Sequence, residues 1–350
     1  MRLNFCTLFN SNYLSRGMVM YESLVKHCDD FHLYIFAFDD RTKEYLSSQN
    51  FEHITVISLK EFEDAELLRI KPTRTAGEYC WTSTSSTILY SINTFQLDHC
   101  TYVDADLLFY SNPKVLIDEM GSKSVLITSH RYTKDYDQSI ESGKYCVQFV
   151  LFKNNEQGMK VLNWWRNACI EWCYNRIEDG KFGDQKYLDD WTNRFEGVHE
   201  LEHLGGGVAP WNVQQYTFRE TNGNYEGTET ATGKQFDLVF FHFHGVKFYE
   251  NDVVSLTGQL YTITNAIQHQ LYKPYVNALC KVKDKIETID STINANGISG
   301  QASYLPMSFK LKIRFYLSGL RKSLKNINIT YLKTRVAHHY YYYCRDFKNE

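Results

Sequence analysis

The stretch Thr101-Tyr102-Val103-Asp104-Ala105-Asp106-Leu107-Leu108-Phe109 decides how the chain folds around its chemistry. An apolar run enters two carboxylates one residue apart and then returns to apolar residues. In an extended segment residues i and i+2 point the same way, so Asp104 and Asp106 are expected to project together where a buried strand leaves the core. Two carboxylates held that close repel each other unless a cation lies between them. Hard divalent cations such as Mg2+ or Mn2+ take oxygen ligands and join one or two carboxylates to substrate phosphates. The pair is therefore a candidate holder of a metal-diphosphate. The alternative is two solvated aspartates at a strand end, because D-x-D by itself is a common tripeptide.

Upstream, Leu3–Phe9 is a short apolar run expected as a strand, and Asn10-Ser11-Asn12 is turn chemistry. Leu14, Met18, Tyr21, Leu24 and Val25 then recur at helical spacing over 13–27. Residues 32–38 and 54–59 are further expected strands, separated by a short helix over 42–48. Alternating strands and helices give a parallel sheet covered by helices, an α/β fold. Ligands of such sheets bind at the carboxyl ends of the strands, where the loops after Phe9, Phe38 and Val103 open.

Downstream, a helix is expected over 72–95, strands at 125–128 and 146–152, and a Trp-rich amphipathic helix over 156–175. Another helix, over 184–195, opens with Gly183-Asp184-Gln185. A Gly-rich passage at 204–212, a polar hairpin at 222–234 and an apolar strand at 236–241 lead into His242-Phe243-His244-Gly245-Val246-Lys247. The region from 260 onward carries polar helices, and residues 292–303 are expected as a linker. Neither GxGxxG nor GxxxxGK[ST] occurs, so a dinucleotide-binding Rossmann or P-loop reading has no motif behind it.

At 350 residues the chain is long enough for one large domain with an appendage, or for two domains. Its net charge of −3 hides a split. Residues 306–350 carry ten Lys and Arg against two acids, +8, and the remainder carries 28 against 39, −11. Such a tail points to an acidic partner of its own. The nine cysteines form no C-x-x-C pair and sit mostly in apolar runs, which is the pattern of free buried thiols in a reducing compartment. The N-terminus lacks the features of a signal peptide, and no apolar run reaches the about 18 residues of a membrane span. The expected organisation is 1–255 as the catalytic domain, 256–305 as a helical extension and linker, and 306–350 as a basic aromatic tail.

Four motifs in order resemble the family 8 glycosyltransferases of the GT-A fold, the group that contains glycogenin and bacterial lipopolysaccharide galactosyl- and glucosyltransferases. They are Thr7-Leu8 with Asn10, Tyr13 and Gly17; Asp104-Ala105-Asp106; Gly183-Asp184-Gln185; and His242-Phe243-His244-Gly245 followed by Lys247. The resemblance covers roughly residues 1–250. It implies a mixed, mostly parallel Rossmann-like sheet with helices on both faces, followed by a helical tail. It also implies transfer of a sugar, with retention, from a nucleotide-diphospho-sugar such as a UDP-sugar to a saccharide or lipid-linked acceptor. Tyr13 would stack on the base with the Thr7 and Leu8 backbone nearby, or else pack as an aromatic staple at the helix start. Asp104 and Asp106 would bind the metal, with Asp104 and Ala105 also near the donor. A histidine, His242 or His244, would complete a ligand set that suits Mn2+ better than Mg2+. Lys247 and the Gly245 backbone would meet the diphosphate.

Asp184 is placed to contact the transferred sugar or acceptor, or serves as a helix N-cap. Trp211 and Asn212 resemble the family's loop near the acceptor, with Trp211 either stacked on a sugar ring or packed. The chain departs from the pattern twice. Only Val246 separates Gly245 from Lys247, where glycogenin-like chains have two residues. Cys146 and Gln148 stand where family members often carry Asn-Ala-Gly, which makes Gln148 a candidate catalytic residue and leaves the donor sugar open.

Phe309, Leu311, Ile313 and Phe315 interleave with Lys310, Lys312 and Arg314, and residues 340–343 add four tyrosines. This is the composition of a membrane-surface anchor, which would place the chain in the cytoplasm on the inner face of a membrane. The alternative is a solvated helix packed on the domain. Nucleic acid is not an expected partner, because the basic residues are confined to the tail. Two rival classes remain: a degenerate domain that binds carbohydrate or nucleotide without turnover, and a sugar-1-phosphate nucleotidyltransferase. The second would require a Gly-rich, basic N-terminal loop, which Asn10-Ser11-Asn12 does not supply.

Overall fold

A computed structural model describes residues 2–221, 223–258, 261–302 and 341–347. Most of the basic tail expected over 306–350 therefore lies outside the described residues. The strands, in chain order, are β1 (Leu3–Phe9), β2 (Phe31–Ala37), β3 (Ile54–Ser58), β4 (His99–Val103), β5 (Leu107–Phe109), β6 (Val125–Ser129), β7 (Tyr145–Lys153) and β8 (Val198–Glu200). They continue as β9 (Gly206–Val208), β10 (Tyr216–Thr221), β11 (Asn224–Glu229), β12 (Gln235–Asp237), β13 (Phe240–His242), β14 (Lys247–Tyr249), β15 (Val253–Ser255) and β16 (Tyr341–Tyr343).

The central sheet has the order β3-β2-β1-β4-β7-β6-β8. Only β7 runs against its neighbours; the other pairings are parallel. This is the mixed, mostly parallel sheet with helices on both faces that the sequence called for. Alternation along β1 divides the core. Leu3, Phe5 and Phe9 face a layer containing the Leu14–His27 and Lys273–Ile289 helices, and Cys6 and Leu8 face the Ala76–Phe95 and Glu156–Glu171 helices. The Ala76–Phe95 helix starts where the sequence instructs it to, at a Thr75–Glu78 capping box.

Four expectations are corrected. The stretch 101–109 is not one strand: β4 belongs to the central sheet, β5 to a small β5-β13-β9 sheet, and Asp104-Ala105-Asp106 is the turn between them. The strand expected at 236–241 divides likewise, with β12 completing a hairpin sheet and β13 pairing with β5, so that His242 lies opposite Leu107. The helix expected over 184–195 is a tight 3-10 segment, Gln185–Asp190, followed by a single turn, Trp191–Arg194.

Finally, residues 292–302 are packed rather than a linker. Ile293 and Ala295 are buried, Ser15 N–H donates to Ala295 O at 3.1 Å, and Ser299 N–H donates to Phe248 O at 3.2 Å. The Lys273–Ile289 helix shares the core of β1, so position 255 marks no division of that core. Within the tail, β16 pairs with β15, and Cys344 and Phe347 are buried. The tyrosines at 341–343, expected at a membrane surface, thus form a strand against the body. None of the nine cysteines is in a disulfide, and no helix of the described residues is long and apolar enough to cross a membrane.

Candidate active site

The site forms where β4 leaves the central sheet. The turn is held from three sides: Leu107 N–H donates to Asp104 O at 3.3 Å, Asp104 N–H to Gln148 O at 3.1 Å, and Phe243 N–H to Asp106 O at 3.0 Å. The two aspartates converge through this turn and not through strand alternation. The pairing of β13 with β5 then brings His242 against them. Its Nε2 is 3.1 Å from Asp106 Oδ1 and 3.7 Å from Asp104 Oδ2. One ligand atom from each of Asp104, Asp106 and His242 fits within 4.8 Å of the others. Two carboxylate oxygens and one imidazole nitrogen at that spacing fit a divalent cation, a hard to borderline ion.

The three groups polarise one another. Burial lowers the basicity of His242, but the Asp106 charge, and after it Asp104, outweighs burial and holds the proton well above the usual histidine range. Asp106 is pulled down by His242 despite its burial, whereas burial raises Asp104. A cation entering the cluster would take the place of the His242 proton between the carboxylates. Outer hydrogen bonds fix the geometry. Tyr102 Oη donates to Asp104 Oδ1 at 3.0 Å, and His242 Nδ1 lies 2.7 Å from Gln148 Oε1. His242 Nε2 is left facing Asp106 Oδ1 and Asp104 Oδ2. The Asp104 side chain keeps 30% of its surface exposed, so the cluster opens to solvent through it.

Of the two histidines, His242 and not His244 stands with the aspartates. His244 is exposed, its ring centroid 5.7 Å from those of His242 and Trp211, and it lies outside the ligand cluster. Gly245 holds φ at +88°, a left-handed conformation that favours glycine, and exposed Lys247 opens β14 two residues later. Tyr13 ends the Ser11–Tyr13 turn with its side chain 43% exposed, and the charges of Asp106 and Asp104 bear on it. Ala105 is buried within the turn, so it has only backbone to offer. Asp184 is 5% exposed and occupies an N-cap position but makes no side-chain cap bond. Burial first, and then the Asp104 charge, raises its carboxyl to about 7.

Other sequence candidates are not brought to the opening. The Thr7 and Leu8 side chains are buried in β1, so only their backbone, the part expected beside the base, could serve a donor. Gln148, the other catalytic candidate, has no exposed surface and sits behind His242. Trp211 is 4% exposed, its ring edge-on to His242 at 5.3 Å, which makes it a wall behind the histidine rather than a platform for an acceptor. Asn212 is fully enclosed and fully used: Oδ1 accepts Ala209 N–H at 2.9 Å, and Nδ2 donates to His130 O and Gly207 O, both at 2.8 Å. It staples the 204–212 passage and is not available to an acceptor.

Two residues were missed. Tyr102 lies two positions before Asp104 on the same strand, so period-two spacing signalled it. Arg16 follows Tyr13 by three residues, within helical reach, and its guanidinium carbon stands 4.4 Å from the Tyr13 ring centroid.

The fold and site define a mixed α/β protein with an Asp-Asp-His cluster at the carboxyl edge of its sheet. The chain belongs to the family of the Bacillus subtilis (strain 168) protein described as Uncharacterized protein YfnD. It is 30% identical to that protein over 292 residues, spanning 81% of this chain and 91% of the relative. A second relative from the same strain, Uncharacterized protein YfnF, is 26% identical over 298 residues, with 83% and 96% covered. No protein-family model matches the chain. Among solved structures, the chain is similar to the galactosyltransferase LgtC in complex with donor and acceptor sugar analogues, at 12% identity and a TM-score of 0.49, covering 80% of this chain and 96% of that one. It is also similar to mouse xyloside xylosyltransferase 1, at 12% identity and a TM-score of 0.41, with 70% and 98% covered.

Proposed function

We propose that the chain is a metal-dependent glycosyltransferase that moves a sugar from a nucleotide-diphospho-sugar, a UDP-sugar, to a saccharide or lipid-linked acceptor with retention. The observation that carries this reading is the Asp104–Asp106–His242 cluster at the carboxyl edge of the sheet. Supporting it, Tyr13 feels the charges of Asp106 and Asp104, and Lys247 acts on His244, beside His242.

A bound divalent ion, Mn2+ in preference to Mg2+ because a histidine joins the carboxylates, supplies charge neutralisation for the diphosphate leaving group. Asp104, Asp106 and His242 would hold it. The exposed Tyr13 ring offers a face to the nucleobase, and Lys247 offers a cation to the phosphates. Gly245 lets the backbone approach them closely. Asp184, raised to about 7 and so able to donate or accept a hydrogen bond near neutrality, is the residue we read as meeting the transferred sugar or an acceptor hydroxyl. We also read the tail over 306–350 as directing the chain to an anionic membrane surface. The support is its +8 charge, with apolar residues interleaved.

The test is UDP release from a panel of UDP-sugars with Mn2+, with and without EDTA, for the wild type and Asp106→Ala. Turnover lost with either EDTA or the substitution supports the reading. Turnover by Asp106→Ala at the wild-type rate contradicts the metal role, and binding without turnover by the wild type identifies the non-catalytic rival. For the tail, co-sedimentation with anionic liposomes must fall when 306–350 is removed; equal sedimentation refutes membrane binding.

A further inference from the structure

Gln148 is tied to two of the three candidate metal ligands. Its backbone carbonyl accepts Asp104 N–H at 3.1 Å, and its side-chain Oε1 lies 2.7 Å from His242 Nδ1. The side chain has no exposed surface. It is boxed in by Gly207, whose φ of +108° admits no ordinary side chain; a Cβ there would stand 3.2 Å from Gln148 Nε2 and 2.8 Å from Thr128 Cγ2. Nε2 makes no hydrogen bond. The amide is therefore held with its carbonyl end against the histidine, and that end is the one in use.

The orientation has a consequence for the ring. A neutral imidazole carries one N–H, and an acceptor at Nδ1 keeps it there. The reverse orientation, with Nε2 of Gln148 donating to Nδ1, would force the proton onto His242 Nε2, which faces Asp106 Oδ1 at 3.1 Å. That would fill the ligand position. We propose that Gln148 is a positioning residue that holds the His242 proton on Nδ1, leaving the Nε2 lone pair for a divalent cation between Asp104 and Asp106. The proposal rests on the metal-site reading above and goes beyond it. An amide in this role, in place of a carboxylate, adds no third negative charge to a site that already holds two. Cys146, two residues earlier on the strand, also lies against the imidazole. A thiol is a weak acceptor, so the amide carbonyl governs.

The experiment is a Mn2+ titration of the full-length protein without nucleotide, with free Mn2+ counted by electron paramagnetic resonance and folding checked by circular dichroism. Loss of such an outer partner typically costs roughly 10–100-fold in metal affinity, so Gln148→Met is expected to weaken Mn2+ binding by that factor. Gln148→Glu keeps an acceptor at the same place and is expected to bind Mn2+ at least as tightly as the wild type. Wild-type affinity in folded Gln148→Met overturns the proposal. Should Gln148→Met fail to fold, Gln148→Glu decides alone, and affinity below wild type overturns it. A wild type that binds no Mn2+ overturns the metal-site reading itself, and the proposal with it. That result is distinguishable from a variant that binds as well as its parent.

Discussion

Arg16 Nη2 donates to the carbonyl of Val246 at 2.9 Å, joining the first helix to the loop that carries Gly245 and Lys247. The same guanidinium donates to Asn296 O at 3.2 Å and Asn12 O at 3.4 Å, and it sits over the Tyr13 ring. It is 3% exposed. Segments separated by 230 and 280 residues therefore meet at one side chain beneath the proposed nucleotide platform.

Arg16→Met should loosen that junction. Hydrogen bonds from a charged donor contribute more than neutral ones, so the loss of stability is expected to be about 3 kcal/mol. UDP binding, measured by calorimetry on the folded variant, should weaken roughly tenfold, about 1.4 kcal/mol, as Tyr13 and the Val246 loop lose their common tie. Unchanged UDP affinity would separate Arg16 from the donor site.

Tyr102→Phe removes only the hydroxyl that holds Asp104 Oδ1. With that oxygen free to turn, Mn2+ affinity should fall roughly tenfold while the melting temperature changes little. A variant with wild-type Mn2+ affinity would show that the turn backbone alone orients Asp104.

Asn212→Ala leaves Ala209 N–H, His130 O and Gly207 O without their side-chain partners in an enclosed setting. The expected cost is about 3 kcal/mol in denaturant unfolding, with the KM for acceptor unchanged in the folded enzyme. Unchanged stability with a raised acceptor KM would return Asn212 to the role its sequence position suggested.

Phe347→Ala tests whether the chain beyond 340 is part of the folded body. Phe347 is buried, Cys344 N–H donates to Asp252 O at 2.8 Å, and Tyr342 Oη donates to Gln268 Oε1. Deleting a buried phenyl ring typically costs about 3 kcal/mol, so the melting temperature should fall measurably. No change would mean that this segment does not dock.

The alternation of strands and helices in the first 60 residues was legible because each element is short, apolar and bounded by turn residues; β1 has the expected limits. The Asp104-Ala105-Asp106 turn was legible as chemistry but not as geometry. Its apolar flanks look like one strand, although β4 and β5 enter different sheets. The same ambiguity concealed the break between Asp237 and Phe240 that delivers His242 to Asp106. Residues 292–302 looked like a linker because they are polar, yet their backbone groups serve Ser15, Arg16 and Phe248, partners that only the fold brings near. The positions of Asn212 and Gln148 in the sequence match functional positions of the resemblance, but Asn212 is enclosed with its side chain saturated by three hydrogen bonds, and Gln148 is buried behind His242, placements that depend on long-range packing.

The most direct test is thermal unfolding of the wild type and Asp106→Asn with UDP, with Mn2+, and with both together. A ligand that binds only the folded state stabilises it by about 2.7 kcal/mol at a hundredfold excess over its dissociation constant. A metal-diphosphate site predicts a clear rise in melting temperature for the wild type with UDP and Mn2+ together, a much smaller one with either alone, and none for Asp106→Asn with both. A wild type that UDP and Mn2+ leave unmoved, or an Asp106→Asn variant stabilised as much as the wild type, would contradict it.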